Sequence, residues 1–258
     1  MRAHFLSGWL FLLGCAVAGT EDLAFVGHAR SLDSGQLLYV ERHFVSRDPV
    51  GEERRLVVYQ CATGAAPFAR KELVFGADRN APTFTLVDAR SGVFEGLARE
   101  GGGWRVFVRG PQDVNTRSAM LGPRGPRGPF VADAGFDEFV RGNWEPLAVG
   151  TALEVPFLVP SRLGTLPFRV RKVRADRVAD EPMSVFRLSL AGPLGWILPD
   201  IEVSYRDRDR RLMRYRGLTN IRDASGAMVE AEIEFPDVEA DASNAEDLRT
   251  MPLSAKCG

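Results

Sequence analysis

The chain has 258 residues, of which 45% are hydrophobic and 26% charged, with 26 glycines, 16 prolines and three cysteines. That composition excludes a disordered tail, a collagen and a disulfide-dense miniprotein. Lys and Arg total 33 against 34 Asp and Glu, a net charge of -1, so no global field recruits nucleic acid.

The chain opens with Met1-Arg2-Ala3-His4, an apolar run from Phe5 to Leu13, then Gly14-Cys15-Ala16-Val17-Ala18-Gly19. One positive charge, a short apolar stretch and small residues in an A-x-A arrangement (Ala16, Ala18) mark residues 1–18 as a secretory signal peptide. The run is well short of the roughly 20 residues that cross a bilayer as a helix, and no later run comes near, so no transmembrane span is expected. Leu12-Leu13-Gly14-Cys15 resembles a bacterial lipobox, which would make Cys15 a lipid anchor. The A-x-A site just downstream favours soluble release.

Residues 19–236 read as a single β-rich domain. Trp104, Val106 and Val108 alternate with Arg105, Phe107 and Arg109, and the same period of two runs through 153–159, 201–205 and 229–235. Such alternation puts one strand face on a core and the other in water. Further strands are expected at 36–45, 54–60, 70–75, 83–88, 168–174, 184–190 and 211–216. Turn material separates them at 88–92, 101–103, 207–210 and 223–226. The Gly-Pro-Arg stretch at 122–129 is too brief for a triple helix and reads as an extended cationic loop.

After it, Phe136, Phe139, Val140 and Leu147 recur at helical spacing. They predict one short lid helix at 134–145, capped by Asp133 and ended by Pro146. The last segment, 237–258, reads as a flexible tail. About eleven short strands imply a mainly β fold, a large curved antiparallel sheet forming a barrel, half-barrel or sandwich. Cys61 and Cys257 remain after signal cleavage. An oxidising compartment permits them to pair, and the sequence leaves that pairing open.

Motifs that carry chemistry are scarce. His4 leaves with the signal peptide, and His28 and His43 lack metal-ligand spacing, so no metal site and no cofactor is expected. No nucleophile elbow, phosphate loop or dinucleotide fingerprint occurs, and no catalytic residue is assigned. Asp207 and Asp209 sit among Arg206, Arg208, Arg210 and Arg211, a solvated hairpin tip rather than a calcium site.

Two patterns point toward binding. Phe84, Leu86, Phe107, Phe157, Phe168, Phe186, Trp196 and Phe235 stand at strand spacing, either as solid core or as the wall of a cavity for an acyl chain. Arg169, Arg171, Lys172, Arg174 and Arg177 crowd one strand and its exit. They form either a solvated face balanced by glutamates 230, 232 and 234 or a patch that grips anionic groups.

The segments Arg70-Lys71-Glu72-Leu73, Phe136-Asp137-Glu138-Phe139-Val140, Ile201-Glu202-Val203-Ser204-Tyr205 and Tyr215-Arg216-Gly217-Leu218-Thr219-Asn220-Ile221 resemble blocks of an uncharacterised family of exported proteobacterial proteins. In architecture alone, the signal peptide, curved sheet and lid helix resemble the periplasmic lipoprotein-carrier (half-barrel) superfamily. Neither resemblance carries functional residues over.

The leading expectation is an exported, non-enzymatic protein of the periplasm, or an outer-membrane lipoprotein if Cys15 is lipidated. It would bind a lipid or lipoprotein acyl chain in a concave sheet. Phe107, Phe157, Phe168 and Phe186 would line the cavity, and Arg169 and Arg171 would meet an anionic head. One alternative is an envelope protein-protein interaction module with a solid core. The other is a carboxylate-dependent hydrolase, which needs two carboxylates about 5–10 Å apart in a cleft.

Overall fold

The computed structural model describes residues 23–64, 66–125, 128–178, 180–192, 199–223, 225–238 and 240–257. Residues 1–18, expected as a signal peptide and including Cys15, lie outside them, as does Trp196. The first eight strands are β1 (Leu23–Ser31), β2 (Leu37–Arg47), β3 (Glu53–Cys61), β4 (Pro67–Phe75), β5 (Thr83–Asp88), β6 (Val93–Glu100), β7 (Gly103–Arg109) and β8 (Arg117–Leu121). Helices α1 (Gly135–Gly142) and α2 (Trp144–Ala148) follow. Then come β9 (Leu153–Val159), β10 (Gly164–Val178), β11 (Glu181–Leu190), β12 (Ile201–Arg206), β13 (Arg211–Arg222), β14 (Met228–Glu234) and helix α3 (Ala245–Thr250).

All fourteen strands belong to one antiparallel sheet in the order β8-β7-β6-β5-β4-β3-β2-β1-β14-β13-β12-β11-β10-β9. The chain meanders outward from β1 to β8, crosses through α1 and α2 to the opposite edge, and meanders back to β14. There β14 pairs with β1, joining Ala29 to Ile233. The sheet is curved but does not close into a barrel. Before α1, Val131 runs beside β9, its N–H donating to the Pro156 carbonyl and its carbonyl accepting from Leu158 N–H, both at 2.8 Å.

Four strands run three or more residues beyond their expected bounds, β4, β10, β11 and β13, and β1, β6 and β8 add to the expected set. Gly96 in β6 has a direct physical reason. A Cβ there would sit 2.2 Å from the Phe84 carbonyl oxygen and 2.5 Å from the Phe107 ring, so only glycine lets these strands approach.

The single helix expected at 134–145 is two. Asn143 interrupts the run, its side-chain amide donating to the Phe139 carbonyl at 2.8 Å. Pro146 lies inside the first turn of α2, where its missing N–H has no intrahelical partner to lose. Asp133 does not cap α1. Its backbone is left-handed at φ 45°, and its carboxylate is held by Lys71 instead.

Segment 240–257, expected as a flexible tail, folds back on the convex face. The Ala240 N–H donates to the Ala24 carbonyl at 2.9 Å, and Leu248 of α3 is buried with Ala24, Phe44, Leu56 and Val58. Beyond it, Cys257 forms a disulfide with Cys61 at the end of β3. The apolar positions in this segment are too sparse for periodicity to show, so packing and the crosslink hold it.

Two clusters fill the concave side. One joins β1–β7 through Tyr39, Tyr59, Phe68, Leu73, Leu86, Leu97 and Trp104. The other seats Phe136, Val140, Trp144 and Leu147 of the helices on Val170, Phe186, Val203 and Tyr205. Between them the concave face is open.

Candidate functional site: the concave cavity

The strand register decides which side chains meet inside the sheet. Phe25 pairs with His43, His43 with Val57, Val57 with Lys71, Lys71 with Leu86, and Leu86 with Glu95. Paired residues point to the same face, so this row runs across six strands on one side. The next row holds Val45, Arg55, Leu73 and Phe84. Both face a cavity of about 1380 Å³.

β9, β11–β14 and α1 contribute an apolar stretch of wall, bordered by charged residues of which Arg211 and Asp237 also line the cavity. Phe136, Phe157, Leu188, Val203, Leu212, Ile233 and Phe235 line it there, opposite Phe25, Leu73 and Phe84. Phe25 stacks on the His43 ring at 4.5 Å, and Phe235 meets Phe25 edge-on at 6.1 Å.

The rim carries an ion network from α1, β3 and the β4–β5 turn, its carboxylates buried or nearly so and its arginines more open. Glu138 receives Arg79 at 3.0 Å, Arg55 at 3.2 Å and Arg141 at 2.6 Å, while Glu53 receives Arg55 at 2.6 Å and Arg79 at 2.9 Å. Arg55 also lies over the Phe75 ring at 4.2 Å. Burial pushes the Glu53 and Glu138 carboxyls up. The arginine charges and hydrogen bonds outweigh it, holding both below the ordinary range. This network clamps α1 against β3 and so fixes one side of the opening.

The floor is polar, and buried apart from the exposed Asn220. Lys71 donates to both Asp133 oxygens at 2.8 and 3.1 Å, and the Asn220 amide reaches the same carboxylate at 2.9 Å. Glu41 is 2.9 Å from the His43 Nε2. Glu95 is 8% exposed and, among the described residues, has neither hydrogen bond nor ion pair. Burial is the main cause that pushes its carboxyl up to about 7; Asp133 adds to the rise, and the charges of Arg222 and Lys71 oppose it. Burial likewise raises Tyr59 and Tyr215, which stay neutral.

Of the aromatic residues expected to line a cavity, Phe157 does so. Phe168 is half-buried behind it, ring centroids 5.7 Å apart. Phe186 is fully buried between Trp144 and Tyr205, in the core beneath the helices. Phe107 is on the other face of the sheet. Trp104 and Val106 point into the core, and the two-residue period sends Phe107 outward, under the Arg105 guanidinium at 5.0 Å. Phe84 and Phe235 do line the cavity.

Arg169 and Arg171 are exposed and leave β10 on the side opposite Val170, which is in the core. Period two forbids Phe168 and Arg169 from sharing a face, so these arginines do not reach the cavity. Arg169 pairs with Glu154 at 2.6 Å, and Arg174 with Glu202 at 2.7 Å. The cluster is thus balanced by Glu154 of β9 and Glu202 of β12 rather than by glutamates 230, 232 and 234, although Glu232 does pair with Arg216 at 3.1 Å.

The residues that sequence reasoning missed are Glu41, His43, Lys71, Glu95 and Asp133. Lys71 and Glu95 leave a signal. Lys71 is the lone charge on the period-two stripe Ala69-Lys71-Leu73-Phe75, and Glu95 is the charge within Val93-Glu95-Leu97, a stripe that Arg99 ends.

No family model matches the chain, and no curated protein matches it. Among solved structures, it is similar to a β-barrel-like protein of the domain of unknown function DUF1849 from Brucella abortus. That similarity has 11% identity and a TM-score of 0.44, covering 84% of this chain and 98% of that one. A putative outer membrane lipoprotein-sorting protein domain from Vibrio parahaemolyticus matches at 8% identity and TM-score 0.29, covering 89% of each chain. A DUF1329 family protein from Desulfovibrio piger matches at 9% identity and TM-score 0.28, covering 88% of each. Among the described residues no helix is long and apolar enough to cross a membrane.

Proposed function

We propose that the chain is an exported, non-enzymatic protein that takes an apolar or amphiphilic molecule, a lipid or a lipoprotein acyl chain, into the concave face of its sheet. The observation that carries this reading is the cavity of about 1380 Å³, with aromatic and aliphatic side chains along one wall. It is larger than the 300–1,000 Å³ or so usual for a small-molecule pocket and suits a long flexible chain. A solid-core interaction module would have filled this space.

The signal peptide read at residues 1–18 supports export to the periplasm. The Cys61–Cys257 disulfide supports the same compartment, since such bonds persist where the surroundings are oxidising. The test is native mass spectrometry and lipid extraction of protein purified from the envelope of an expressing bacterium. An adduct of acyl-chain mass is expected. Protein that is ligand-free by both methods would overturn the reading.

A further inference from the structure

We propose that the cavity floor is a head-group subsite, and that it takes a protonated amine, with the Glu95 carboxylate as its acceptor. The inference rests on the amphiphile reading above and specifies which end of the ligand goes deep. Three carboxyls face the floor, and two are occupied: Glu41 by His43 and Asp133 by Lys71 and Asn220. Glu95 is the third, lining the cavity, 8% exposed and without a partner among the described residues.

Among the described residues no side chain donates to it. Its register partners are Leu86 and Val108, Lys71 donates to Asp133, and Arg222, whose charge reaches Glu95, donates through Nη1 to the Gly226 carbonyl at 3.0 Å while its buried Nε makes no hydrogen bond. A buried carboxylate facing an open cavity wants a donor, and a positive one best. An anionic head would instead add a fourth negative group beside Glu95, Asp133 and Glu41. The apolar wall formed by Phe25, Phe157, Leu212 and Phe235 then receives the chain.

The experiment displaces the uncharged fluorescent probe N-phenyl-1-naphthylamine from the full-length mature protein at about pH 8. Dodecylamine, dodecanol and dodecanoate, each below its micellar concentration, are the competitors. A charge-assisted hydrogen bond predicts displacement by dodecylamine at concentrations about tenfold or more below those of dodecanoate. In Glu95→Gln that preference should shrink to within about threefold, with dodecanol unchanged. Dodecanoate matching or beating dodecylamine on the wild-type protein would overturn the proposal, and this ranking does not depend on the variant folding. So would an undiminished amine preference in the folded variant. Failure of the probe or of all three competitors to bind would remove the amphiphile reading itself, a separate outcome.

Discussion

Glu95 makes the energetic cost of the site visible in one residue. Its carboxyl stands at about 7 in the fold against an ordinary value of 4.5. A raised carboxyl means the native state holds the proton more tightly, so stability falls as pH climbs from the lower value to the higher and stays reduced above it. The shift corresponds to about 3 kcal/mol. Lys71 and Arg222 oppose the effect and Asp133 adds to it. Urea unfolding should therefore find Glu95→Gln more stable than wild type by about 1–3 kcal/mol at about pH 8, with no pH slope between about 5 and 7 from this group. A variant less stable than wild type at that pH would mean the carboxylate has a structural partner. Glu53 and Glu138 carry the opposite sign. Their carboxyls are held low, so what they contribute is present above their unfolded value of 4.5 and is lost as pH falls through the native one. Acid titration followed by hydrogen exchange should release α1 before the strands, and Glu138→Gln should weaken α1 protection at neutral pH. Protection of α1 that outlasts the sheet in acid would contradict the clamp.

At the scale of elements, two attachments decide whether the cavity keeps its shape. Helix α1 is seated where a Cβ on Gly135 would lie 1.9 Å from the Asn80 carbonyl oxygen. Gly135→Ala must push the helix off that contact, a loss of about 2–4 kcal/mol by chemical denaturation; an unchanged midpoint would show that α1 is not docked as described. The C-terminal segment is tied down by Leu248 and by a crosslink across 196 residues of sequence. Paired Cys61→Ser and Cys257→Ser changes should cost roughly 2–4 kcal/mol and speed amide exchange in α3, while leaving the centre of the sheet protected. Equal exchange in α3 with and without the bond would refute that role. Legibility differs among elements for the same physical reasons. β7, β9, β12 and β14 show the two-residue alternation; on β14 the second face is wet, with Glu230 and Glu234 exposed, while Phe107, Leu158, Ser204 and Arg206 are buried on the second faces of the others. β1 escapes notice because Ala24, Gly27 and Ala29 dilute the pattern, and β6 because Gly96 interrupts it. α3 is held by contacts distant in sequence, which no local pattern encodes.

For the whole molecule, the sequence conveys a large bent antiparallel sheet but not which face is hollow. Phe107 and Phe157 look alike in a two-residue rhythm, yet one lies on the outer face and the other lines the cavity, because only strand pairing sets which face curls inward. The same limit misplaces Arg169 and Arg171, whose charge is legible and whose side of the sheet is not. The charged floor is assembled from β2, β4, β6, β13 and the loop before α1, far apart along the chain. The central claim is that this hollow face receives an apolar chain. A fluorescence titration of N-phenyl-1-naphthylamine tests it most directly, with wild type and Leu212→Asp, a half-buried wall position, measured side by side. Saturable one-site binding is predicted for wild type, weakened about tenfold or more by the buried charge. Absence of saturable binding, or equal affinity in the two proteins, would contradict the account.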